Sequence, residues 1–91
     1  MTGLFIDVLR AESGPSVWYK VILMGSRNGA APQIPRISAE CLLERLQRVL
    51  LWPERTTDRL RDMLARDGRL TNERLEVTTR AQLIELGFEG L

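Results

Sequence analysis

Apolar residues change their spacing part-way along this chain. Over residues 4–24 they crowd among β-branched and aromatic positions, and from residue 38 onward they recur every three or four residues. The first spacing belongs to strands and the second to helices. Residues 4–10 and 17–24 read as two strands, and Ala11-Glu-Ser-Gly-Pro-Ser between them carries turn chemistry, so a β-hairpin is predicted over 4–24.

Pairing Arg10 with Val17 sets Val8 opposite Tyr19, Asp7 opposite Lys20, Ile6 opposite Val21 and Leu4 opposite Leu23. Alternation then sorts the hairpin into two faces. One carries Leu4, Ile6, Val8, Val17, Tyr19, Val21 and Leu23; the other carries Phe5, Leu9, Trp18, Ile22 and Met24 around Asp7 and Lys20. Neither face is polar, although an antiparallel sheet usually leaves one side wet. The second face therefore needs a cover: helices of this chain, a third strand or another molecule.

Residues 25–37 hold two glycines and two prolines and read as a loop. Ser38 is a good N-cap for a first helix over 39–51, with Leu42, Leu46, Val49 and Leu50 on one stripe, Leu43 at its edge, and Glu44 and Arg48 paired outside. Trp52-Pro53 ends it, because the residue before proline avoids the helical region. A second helix over 54–67 buries Leu60, Met63 and Leu64 and stops at Gly68. Residues 69–78 fit strand or helix, with Leu75 to Val77 a candidate third strand. Thr79 and Gln82 have capping-box spacing for a last helix, with Leu83, Ile84 and Leu86 as its apolar side, Gly87 as its stop and Phe88 folding back. The predicted fold is α+β: one domain over residues 1–91, an N-terminal antiparallel hairpin with a possible short third strand, packed against about three helices. Residues 38–88 are mainly helical.

Composition narrows the function. The 91 residues contain no histidine, one cysteine (Cys41) and one lysine (Lys20). Most enzymatic chemistry near neutral pH leans on histidine, cysteine pairs or a tuned lysine, so a catalytic or metal site is not expected and no cofactor is implied. Cys41 lies in a first helical turn that would stabilise a thiolate, but it has no histidine beside it and reads as structural. Most carboxylates interleave with arginine at helical spacing, the pattern of a solvated face. Asp7 is the exception, and pairing with Lys20 is its expected role. Gly25-Ser-Arg-Asn-Gly follows a strand but lacks the lysine and the adjoining helix of a phosphate loop.

No basic region precedes the apolar N-terminal residues, and the run from Val21 to Met24 is far shorter than a membrane span of about 20 residues. A cytoplasmic protein without a membrane partner is the expectation. The favoured function is a non-enzymatic protein–protein interaction module: an adaptor, assembly subunit or protein inhibitor of phage or plasmid type. Phe5, Leu9, Trp18, Ile22 and Met24 would form its contact patch, with Arg27 and Arg36 as polar contacts. The partner is another protein or a second copy of this chain. The alternative is a winged-helix-like regulator that binds nucleic acid through Arg55, Arg59, Arg61, Arg66, Arg69 and Arg74, residues 69–77 forming the wing. A net charge of +1, and ten arginines against ten acids over residues 36–91, weigh against it.

Overall fold

The computed structural model describes residues 4–11, 15–25, 31–76 and 79–91. Their order is β1 (Leu4–Ala11), β2 (Trp18–Met24), β3 (Gln33–Ile37), α1 (Ala39–Leu50), α2 (Glu54–Asp67), β4 (Arg69–Leu75) and α3 (Arg80–Leu86). The strands form one antiparallel sheet in the order β3-β2-β1-β4, so the N-terminal hairpin is its centre. The fold is α+β, with one more strand than the sequence suggests.

The hairpin register differs from the expected one by two residues. Ile6 lies opposite Leu23, Val8 opposite Val21 and Ala11 opposite Trp18. A two-residue slip keeps every side chain on its face, so the sorting into two faces holds. It does separate the charges: Asp7 faces Ile22 and Lys20 faces Leu9, so the expected Asp7–Lys20 pair does not form.

Both edge strands depart from the sequence reading. Residues 33–37, expected in the loop, form β3, which pairs with β2. Its Pro35 is tolerated because an edge strand needs only one set of backbone bonds. The third strand expected at Leu75 to Val77 is instead β4, running from Arg69 to Leu75 beside β1; Val77 lies outside the described residues. Arg69–Leu75 is thus a single strand beside β1, where the winged-helix alternative expects a hairpin over 69–77.

Ser38 accepts the Cys41 backbone N–H at 3.2 Å, which starts α1 as expected. The helix stops at Leu50, one residue early, because Leu51 takes a left-handed conformation (φ 56°) ahead of Trp52-Pro53. Gly68 ends α2 at φ 69°, where glycine carries no Cβ penalty. The capping box at Thr79 opens α3, and Gly87 closes it as the Phe88 N–H reaches back to the Leu83 carbonyl at 3.2 Å. Phe88 is buried there, while Ile84, expected on the apolar side of α3, is 57% exposed.

The core lies between one sheet face and the helices. Leu4, Ile6, Val8, Tyr19, Val21 and Leu23 pack with Ile34, Ile37, Leu70 and Leu75 against the buried leucines of α1, α2 and α3. Thr57, buried between α1 and α2, donates to the Glu54 carbonyl at 2.8 Å. Among the described residues no helix is long and apolar enough to cross a membrane.

Candidate functional site: the helix-free face of the sheet

Directly opposed residues of an antiparallel pair point to the same side of the sheet. This rule builds the second face row by row. Phe5 lies between Met24 and Arg74; Asp7 adjoins Ile22, which in turn adjoins Gln33; Leu9 lies between Lys20 and Arg69; and Ala11 adjoins Trp18. None of these side chains belongs to the core cluster or to the partly buried residues packed against it. Phe5, Trp18, Ile22 and Met24 are half-buried, Leu9 is 39% exposed, and Lys20, Arg69 and Arg74 are exposed. The described helices pack on the other side, so the sheet has one covered face and one apolar face without a helical layer.

Trp18 is the best-fixed member. The Arg36 guanidinium lies over its ring, 4.3 Å from the centroid, a cation–π contact that holds both side chains on this face. The indole Nε1 is covered and has no hydrogen-bond partner among the described residues. The five apolar residues expected to form a patch are thus brought together with Arg36. Arg27 lies outside the described residues.

Asp7 has a structural partner that the sequence does not reveal. The β1–β4 register slips between Ile6 and Val8, where β4 carries one extra residue. Asn72 in that bulge is left-handed (φ 53°), and its backbone N–H donates to Asp7 Oδ1 at 2.8 Å. The carboxylate thereby satisfies a ladder donor that the bulge would leave unpaired.

The charges of this face are uneven. Its strand positions carry Lys20, Arg36, Arg69 and Arg74 against Asp7 alone, with Glu76 just past the end of β4 and Glu89 bridged to Gln33 at the β3 edge. Lys20, Arg36 and Arg69 gather around Leu9 and Trp18, and among the described residues none of the four cations has an ion-pair partner.

Arginines of the helical layer are differently placed. Arg59 bonds Glu73 at 2.6 Å, Arg66 approaches Asp67 at 3.4 Å, and Arg61 bonds both Glu40 (2.9 Å) and Asp58. The hydrogen bond from Arg61 holds the Glu40 carboxyl below its ordinary 4.5, and the two carboxylates raise the Arg61 pKa in return. Arg55 lines a shallow depression on α2 together with Asp58 and Asp62. The six arginines named for nucleic acid therefore do not share one surface. Four lie on α2, mostly beside acids, and Arg69 and Arg74 oppose Leu9 and Phe5 on the sheet's far side.

From sequence, Lys20 is expected in an ion pair with Asp7, and Arg69 and Arg74 in the helical half. Alternation along β2 was enough to place Lys20 on this face. Placing the two arginines required knowing that β4 pairs with β1. Cys41 is partly buried against the core. Among the described residues no cluster of three or more His, Cys, Asp or Glu side chains could hold a metal ion.

No protein-family model matches the chain, and neither the curated proteins nor the solved structures include a match to it.

Proposed function

We propose that this chain is a non-enzymatic, cytoplasmic protein-binding module, an adaptor, assembly subunit or inhibitor, that seats a partner protein on the helix-free face of its sheet. One observation carries the reading: Phe5, Leu9, Trp18, Ile22 and Met24 lie together on a face that the described helices leave open. Hydrophobic burial is worth about 25 cal/mol per Å2, so a surface with two aromatic anchors is a ready source of affinity once a partner excludes water. The Arg36–Trp18 stack already orders both side chains, which lowers the entropic cost of docking.

The arginines of α2 weigh against the nucleic-acid alternative. A helix that reads a groove needs unpaired cations on its outer side, whereas Arg59, Arg61 and Arg66 have acidic neighbours within ion-pair distance.

Site-specific photo-cross-linking in the cell that expresses the protein tests the proposal. A photoreactive residue replacing Ile22 is expected to give a discrete heteromeric adduct that Trp18→Ala abolishes without unfolding the chain. The same residue replacing Glu44, on the outer side of α1, is expected to give none. Adducts from position 44 and none from position 22 would contradict the proposal.

A further inference from the structure

The open face has a charge polarity that says what kind of partner suits it. We infer that its occupant is an acidic amphipathic helix of a partner protein, with apolar side chains over Phe5, Ile22 and Met24 and carboxylates over Lys20, Arg36 and Arg69. The inference rests on the protein-binding reading above and deepens it.

Charge complementarity is the first ground. Lys20, Arg36 and Arg69 surround Leu9 and Trp18, and no described residue forms an ion pair with them. Asp7, the one carboxylate on the face's strand positions, already accepts the Asn72 N–H. An apolar partner without acids would cover these cations and strip their water without compensation. Carboxylates at that end supply it, and they also steer the encounter.

A second copy fits less well, because it brings the same cations. With the two faces laid end to end, the three cations meet their own counterparts. With one face reversed they meet the Phe5–Met24 end, where the strand positions add only Arg74. A single strand of nucleic acid also brings negative charge, but it binds by stacking bases on open ring faces. Here Arg36 already covers one face of Trp18, and three of the five apolar residues, Leu9, Ile22 and Met24, are not aromatic.

The sheet edges decide between a helix and an added strand. Strand addition needs a regular row of free backbone groups. At the β3 edge Pro35 lacks an N–H, and Gln33 is bonded in both directions to Glu89, at 3.1 and 2.9 Å. At the β4 edge the Asn72 bulge breaks the row. The broad face remains, and a helix laid on a sheet is the packing this same sheet already uses on its other side. A helix of about 18 residues is about 27 Å long, comparable with the 34 × 28 Å breadth of the molecule.

The test selects binders to the full-length chain from a displayed library of helical peptides of about 18 residues, built from Leu, Ala, Glu and Lys with equal input of Glu and Lys. The expected outcome is a bound population enriched in Glu over Lys. One selected peptide should shift the amide resonances of Leu9, Trp18 and Ile22, and should lose affinity roughly tenfold on Lys20→Glu with Arg36→Glu and comparably at high salt. If the double variant does not fold, library composition and salt dependence still decide. Peptides that shift the same resonances with no excess of Glu would overturn the acidic partner while leaving a protein-binding face. Retention of no peptide, displacement by single-stranded oligouridylate, or a salt-insensitive homodimer covering Trp18 would overturn this inference, and displacement by the oligonucleotide would overturn the protein-binding reading with it.

Discussion

At the scale of single residues, a side chain that looks like half of an ion pair turns out to hold a backbone irregularity. Asp7 has apolar strand neighbours, and sequence alone offers Lys20 as its partner. The structure gives it the Asn72 N–H at 2.8 Å instead, because β4 needs a bulge to follow β1. Removing a hydrogen-bonded acceptor at a partly solvated site costs about 1 kcal/mol. Asp7→Ala is therefore expected to destabilise the fold by about that amount, and Asp7→Asn by less because its amide oxygen still accepts. Urea denaturation of the two variants checks this; equal losses, or none, would mean that the bond to Asn72 does not matter. Gly87 shows a second residue-scale constraint: its φ of 105° suits glycine, and a Cβ there would meet Arg45 Nη1 at 2.6 Å. That guanidinium donates to the Leu86 carbonyl at 3.0 Å, tying α1 to the end of α3.

Between elements, α1 and α2 are joined by the buried Thr57, whose hydroxyl also approaches Gln47 Oε1 on α1 at 3.4 Å, and outside by Arg61, which reaches Glu40 on α1 and Asp58 on α2. Glu40 is held below its ordinary 4.5 by that hydrogen bond, so it binds fewer protons when folded than when unfolded. Its contribution is present above 4.5 and fades as pH falls through the lowered folded value. Arg61→Ala is expected to lower stability slightly at neutral pH, and the difference should shrink at about pH 3 and at high salt. Denaturation curves at both pH values check it; a difference that survives acid would point to lost packing of the arginine stem instead.

The same scale explains what could be read from sequence. The hairpin, the three helices and their caps follow from local rules, and Ser38, Gly68, Thr79 and Gly87 punctuate the chain where those rules expect. The edge strands do not follow local rules. Ile34 and Ile37 both enter the core although they are three apart, because the β2–β3 register slips between Tyr19 and Val21. Leu70 and Leu75 do so although they are five apart, because of the Asn72 bulge. A bulge erases the period-two signal that marks a strand, and in both cases only pairing with the hairpin restores it. The candidate site inherits this division. Its five apolar residues and Lys20 were legible from hairpin alternation, whereas Arg69 and Arg74 joined the face only through β4.

For the whole molecule, a four-stranded sheet carries one apolar face that no described helix covers. All described helices close one side, so Phe5, Leu9, Trp18, Ile22 and Met24 meet water or a partner. Solvent paramagnetic relaxation of methyl resonances, with a soluble gadolinium chelate, reads this exposure. Strong relaxation is expected at Leu9, Ile22 and Met24, and weak relaxation at Ile6, Val21 and Leu23 on the covered side. Equal protection of both sets would mean that the face is sealed by the chain itself or by a second copy, and is not open to a partner.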